Sequence, residues 1–136
     1  MSEKLDFLKD VTTIENCMIP KDITSIKIPS NIIEIDNKAF ANCRNLTEVD
    51  LNDCVNLEYL GHRAFMNCVN LTKIDFSKCN NLKFVGEFCF DGCKKLKHAI
   101  LPRKDKNEIR ISDYVYTNSG ILNNTKYVQN KLKEWV

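Results

Sequence analysis

Leu46–Asn70 reads LTEVDLNDCVNLEYLGHRAFMNCVN, and Leu71–Lys95 reads LTKIDFSKCNNLKFVGEFCFDGCKK. Laid over each other at a shift of 25 residues, they match Cys54 with Cys79, Leu57 with Leu82 and Gly61 with Gly86. The columns run beyond this pair: Cys43, Cys68 and Cys93; Phe40, Phe65 and Phe90; Leu46, Leu71 and Leu96; Ile35, Leu60 and Val85; Val49, Ile74 and Ala99. Self-similarity at one period of roughly 20–50 residues is the mark of a solenoid. An earlier turn starts at Ile23, Ile26 and Ile28. It takes the short corner Pro29-Ser30-Asn31 to Ile32 and so spans 23 residues. A further start follows at Leu96, Ala99, Leu101 and Pro102.

Within a turn, L-x-x-V-x-L has the alternation of an extended strand, whose successive side chains face opposite sides. Val49 and Leu51 then point inward, and Glu48 and Asp50 outward. One turn cannot bury its apolar row alone, so stability must come from stacking on its neighbours. Asn45, Asn56, Asn70 and Asn81 each precede a column leucine, and asparagine accepts turn and left-handed backbone geometry, which suits corners; Gly61 and Gly86 are expected to mark another corner for the same reason. Phe40, Phe65 and Phe90 are expected to stack as one aromatic row.

The core L-x-x-L-x-L-x-x-C/N-x-x-L resembles leucine-rich repeats. Ile35-x-x-x-Ala39-Phe40-x-x-Cys43 and Ile26-x-Ile28-Pro29 resemble the BspA-type branch of that family. The resemblance covers residues 23–102, about three and a half turns. It implies an α/β repeat: a right-handed solenoid with a short parallel sheet on its concave side and turns or short helical segments on its convex side. It also implies a protein that binds other proteins, a class that includes bacterial surface adhesins.

The flanks read as irregular caps, 1–22 and 103–136. In the first, Ser2 starts a short helix with Leu5 and Leu8 on one face. In the second, Ile109-x-Ile111 and Tyr114-Val115-Tyr116 read as extended, followed by a turn at Asn118-Ser119-Gly120. A terminal helix then carries Val128, Leu132 and Trp135 as one apolar stripe, which either closes the last turn or docks on a partner.

Twenty Lys and Arg against eighteen Asp and Glu leave a net charge of +2, which excludes a generic polybasic nucleic-acid binder. No apolar run approaches a membrane span, and the charged first ten residues do not suit a signal peptide, so a cytoplasmic location is expected. Seven cysteines, an odd number, are then expected as reduced thiols. Cys89-x-x-x-Cys93 with His62 and His98 resembles half a metal site. Yet Cys89 occupies the column of Ala39 and Ala64, and no zinc-type spacing accompanies it, so no metal or cofactor is expected. Disulfides between stacked cysteines face an awkward dihedral. The N-x-T sequons at Asn45, Asn70 and Asn123 fall mostly where the repeat itself wants asparagine. Nothing supplies the orienting residue or oxyanion nest that a cysteine nucleophile needs, so no enzyme is expected.

The concave strands leave Ser25, Lys27, Glu48, Asp50, Lys73, Asp75, His98 and Ile100 facing outward. Their acidic centre, Glu48, Asp50 and Asp75, is flanked by Lys27, Lys73 and His98. That mixture suits a protein or peptide partner, and without aromatics it offers nucleic acid neither a basic stripe nor a stacking platform. The expected function is a non-catalytic protein-interaction module. The alternatives are a structural subunit held through its terminal caps and a surface adhesin of the BspA type.

Overall fold

An apolar row repeated every 25 residues is buried only if each turn lies on its copy in register, and the structure is built that way. The computed structural model describes residues 2–102 and 108–121. A 3-10 helix, Ser2–Asp10, leads into nine short strands: β1 (Thr13–Ile14), β2 (Ser25–Lys27), β3 (Glu34–Ile35), β4 (Glu48–Asp50), β5 (Tyr59–Leu60), β6 (Lys73–Asp75), β7 (Phe84–Val85), β8 (His98–Ile100) and β9 (Arg110–Ile111). They alternate between two walls. The even strands pair in parallel as β2–β4 and β6–β8, with Val49 opposite Ile26 and Ala99 opposite Ile74. The odd strands form one continuous five-stranded parallel sheet, β1-β3-β5-β7-β9. In its register Ile14, Ile35, Leu60, Val85 and Ile111 stand in line.

The second wall corrects the expectation of an α/β repeat. Opposite the even strands stand strands and turns, and the fold is a β-solenoid. The backbone shows why no helix forms there. Between Ile35 and Leu46, Ala39, Ala41 and Cys43 donate their N–H groups within the turn, to Asp36, Lys38 and Phe40. The residues between them, Lys38, Phe40 and Asn42, donate to the next turn, to the carbonyls of His62, Ala64 and Met66 at 2.7–3.0 Å. A helix needs every N–H bonded locally along one run. Left-handed residues interrupt the segment as well: Lys38 and Asn42, then Arg63 and Asn67, then Phe88 and Gly92, then Tyr114 and Asn118 all have positive φ.

Two kinds of corner residue, asparagine and glycine, differ in part from the sequence expectation. Asn45, Asn56, Asn70 and Asn81 all lie in turns, as expected, but none is left-handed. Instead Asn56, Asn70 and Asn81 reach back a turn, donating Nδ2–H to the carbonyls of Ser30 (2.9 Å), Arg44 (2.6 Å) and Val55 (3.0 Å). Asn31 does the same toward Leu8 and Val11. Gly61 and Gly86 are not needed for φ either. They stand where consecutive turns approach closely: a Cβ on Gly61 would press on the backbone nitrogen of Asn37, and one on Gly86 on that of His62. Between these corners the phenylalanine row stacks as expected. Ring centroids of Phe40 and Phe65 lie 4.9 Å apart and those of Phe65 and Phe90 5.6 Å, and the row continues to Tyr116 at 5.7 Å.

Stacked order therefore extends past residues 23–102. Thr13–Ile14 opens the five-stranded sheet and Arg110–Ile111 closes it. Tyr114-Val115-Tyr116, expected to be extended, instead forms the turn that answers Phe88-Cys89-Phe90. Tyr114 stacks on Phe88 at 5.4 Å, and Phe90 N–H donates to the Val115 carbonyl at 2.8 Å. The stripe Val128, Leu132 and Trp135 lies outside the described residues.

Candidate interaction surfaces

All eight residues read as outward-facing from the sequence lie on the even strands. Ser25, Lys27, Glu48, Lys73 and His98 are exposed, whereas Asp50, Asp75 and Ile100 are half-buried. Between them Ile26, Val49, Ile74 and Ala99 are buried, so the face is a thin charged layer on an apolar backing. Register places Ser25 beside Glu48 and Lys27 beside Asp50, and Lys73 beside His98 and Asp75 beside Ile100. The two half-buried carboxylates have structural work as well. Asp50 Oδ1 accepts the Asn52 N–H at 2.9 Å, and Asp75 Oδ1 accepts the Ser77 N–H at 2.8 Å. Burial alone would raise the Asp75 carboxyl, but the Ser77 hydrogen bonds together with Lys73 and Lys78 hold it below the usual range. Lys27 pairs with Asp53 at 3.1 Å, and that hydrogen bond raises its ammonium.

At the N-terminal end of this face lies a groove of about 900 Å³ between the 3-10 helix and the β2 corner. Leu5, Leu8, Ile26 and Val55 supply its apolar lining, and Ser25, Lys27 and Asp53 its polar rim. No residue of the helix had been assigned to a surface from sequence, because nothing in a 25-residue period says where a non-repeating segment folds back.

The odd strands present a face that sequence reasoning missed. Glu34, Tyr59 and Phe84 stand in register, each half-buried, with the Tyr59 and Phe84 rings stacked at 4.8 Å and 9°. The neighbouring column is tied from turn to turn: Asn37 Oδ1 accepts the His62 N–H at 2.8 Å, and His62 Nδ1 accepts the Glu87 N–H at 2.9 Å. The signal was present in the sequence as the pairs Tyr59-Leu60 and Phe84-Val85 at one spacing, but two residues are too short to show alternation.

These columns match a known repeat. The model of the BspA-type leucine-rich repeat region fits residues 12–134 in six copies. The chain belongs to the BspA-type leucine-rich repeat family. No curated protein matches it. Among solved structures it is similar to a leucine-rich cell surface protein of Faecalibacterium prausnitzii A2-165, at 26% identity over 71% of this chain and 31% of that one, with a TM-score of 0.45. A leucine-rich repeat protein of Bacteroides ovatus ATCC 8483 is similar at 20% identity over 82% of this chain and 45% of that one, with a TM-score of 0.30. The chain thus spans less than half the length of either protein.

In this BspA-type chain six of the seven cysteines are packing residues. Cys43, Cys54, Cys68, Cys79, Cys89 and Cys93 are buried and Cys17 is exposed, all as free thiols. Cys68 Sγ donates to the Phe40 carbonyl at 3.2 Å and Cys93 Sγ to that of Phe65 at 3.0 Å, so each thiol bonds the turn before it. Burial pushes the Cys89 and Cys43 thiols up. Cys79 is pushed up first by its hydrogen bond to Cys54 and then by burial, the same bond favouring the thiolate at Cys54. Among the described residues no three His, Cys, Asp or Glu side chains converge as metal ligands. His62 is occupied by Glu87 N–H and by an edge contact with Phe84.

Proposed function

We propose that the chain is a non-catalytic protein-interaction module that engages a protein or peptide partner through the face of β2, β4, β6 and β8. One observation carries this reading. The outward residues of the two strand pairs form a mostly charged layer over a buried apolar row, and the layer runs into the groove beside the 3-10 helix. A rigid backing limits the ordering cost of binding, and the groove gives an anchoring side chain somewhere to be desolvated. The mixed charges set the orientation and choice of partner more than raw affinity. The reading assigns no catalytic residue, metal or cofactor.

Charge exchange at two exposed positions tests it. Glu48→Lys with Lys73→Glu leaves the core and the turns of Asp50 and Asp75 intact. Affinity capture from the native cell, quantified by mass spectrometry, is expected to recover a defined partner with the original chain and to lose it with the exchanged one, at an unchanged circular dichroism spectrum. Equal recovery with both chains overturns the assignment of this face.

A further inference from the structure

The five-stranded sheet carries a second outward row of different chemistry. Its centre is aromatic: Tyr59 and Phe84 stack at 4.8 Å, and His62 meets Phe84 edge-on at 5.6 Å. Toward β1 the row is acidic, with Glu34 in line with the rings and Asp36 and Glu15 close enough to act on it. Burial, then Asp36, then Glu15 push the Glu34 carboxyl up, and burial, Glu34 and Asp36 push the Tyr59 hydroxyl up. Every charged group acting on these two is acidic. Among the described residues the ion pairs are Lys27 with Asp53 and Lys83 with Glu58, and neither includes these three carboxylates. Like charges gathered on a half-buried surface without a counter-charge repel one another, and a cation supplied from outside relieves that repulsion. The adjoining ring adds a favourable face for the same cation.

We propose that this sheet face docks a basic segment of a protein partner, with one Lys or Arg side chain held by Glu34 and Asp36 and an apolar side chain resting on the Tyr59–Phe84 stack. Charge complementarity selects this occupant, and the layout sets its sequence. Neighbouring turns lie about 4.8 Å apart, so Glu34 and Phe84, two turns apart, are separated by about 9.6 Å, close to the about 9.3 Å of one three-residue turn of polyproline II chain, which puts residues i and i+3 on the same side. The matching segment therefore reads Lys/Arg-x-x-apolar. This surface is independent of the even-strand face, and Glu48 on that face serves as a control.

The probe is a peptide of three Lys-Gly-Gly-Leu repeats, with a Glu-Gly-Gly-Leu counterpart, titrated by calorimetry and by amide chemical shifts. The basic peptide is expected to bind, with shifts concentrated at Glu34, Tyr59 and Phe84, and to weaken with added salt. Glu34→Gln with Asp36→Asn, isosteric and neutral, is expected to weaken binding by about tenfold or more, and Glu48→Gln to leave it unchanged. Failure of the basic peptide to bind at millimolar concentration, equal binding of the acidic peptide, or shifts centred on β2, β4, β6 and β8 would each overturn the proposal. The shift map needs no variant and so stands even where a substitution disturbs folding.

Discussion

The two walls of the solenoid solve one stacking problem in different ways. The even strands are three residues long and pair only as β2–β4 and β6–β8, whereas the two-residue odd strands run unbroken through five turns. On the even wall the carboxylates of Asp50 and Asp75 accept within their own turn, from Asn52 and Ser77, while Lys27 pairs across turns with Asp53. On the odd wall a side-chain column links three successive turns through Asn37, His62 and Glu87, and Gly61 and Gly86 let the backbones close up. Continuity thus follows from contacts between copies rather than from strand length. The break in pairing between β4 and β6 falls where the column changes from Leu51 to the bulkier Phe76.

The largest effect belongs to what both walls share. Leu71 is fully buried between turns, so Leu71→Ala is expected to cost about 2–5 kcal/mol in urea unfolding, a cavity-forming truncation. Glu48→Ala on the even wall should cost under about 0.5 kcal/mol. Equal costs would mean that the phase of the columns is wrong. Gly86→Ala separates the walls next: its Cβ meets backbone of the turn before it, and about 1–3 kcal/mol should be lost, with amide-exchange protection falling on the odd strands first. Uniform loss of protection across both walls would remove the distinction.

Much of this was legible in the sequence because repetition averages out local ambiguity. One Leu-x-x-Val-x-Leu is a weak strand signal, but three copies in phase fix the even wall and the phenylalanine row. The odd wall was not legible as strand, since Tyr59–Leu60 and Phe84–Val85 are too short to alternate. Propensity also misplaced the left-handed corners. Residue rules pointed to Asn56 and Gly61, while the backbone places positive φ at Asn42, Asn67 and Gly92, of the favoured types but at other positions, and at Lys38, Arg63 and Phe88, which no such rule selects. The extra turn at 108–121 was hidden by a 26-residue step from Phe84 to Arg110 and by tyrosines replacing phenylalanines. Of the outward residues, the even-wall set was readable from alternation, but the acidic and aromatic row of Glu34, Tyr59 and Phe84 was not.

Smaller effects refine the contrast. Asn56→Ala and Asn81→Ala each remove one exposed bond to the preceding turn and should cost about 0.5–1.5 kcal/mol by thermal melt, so an unchanged melting temperature would show the asparagine ladder to be ornamental. The carboxyls give the smallest effect and the opposite sign on each wall. Asp75 is depressed, so its contribution is present above the ordinary aspartate pKa of about 3.8 and is lost as pH falls through its lower folded value. Glu34 is raised, so stability falls as pH rises from about 4.5 through its higher folded value. Carbon-detected titration should find Asp75 below and Glu34 above their ordinary midpoints, and the reverse order would mean that the two environments have been exchanged.

The central claim is that residues one repeat apart lie directly over one another on both sides of the chain. Proton–proton Overhauser contacts between aromatic rings test it most directly. The account predicts contacts from Phe40 to Phe65 and from Phe65 to Phe90 in the core, and from Tyr59 to Phe84 on the odd wall, where centroids are 4.9, 5.6 and 4.8 Å apart. A folded protein in which Tyr59 shows no contact with Phe84 while Phe40 contacts a residue outside its column would contradict it.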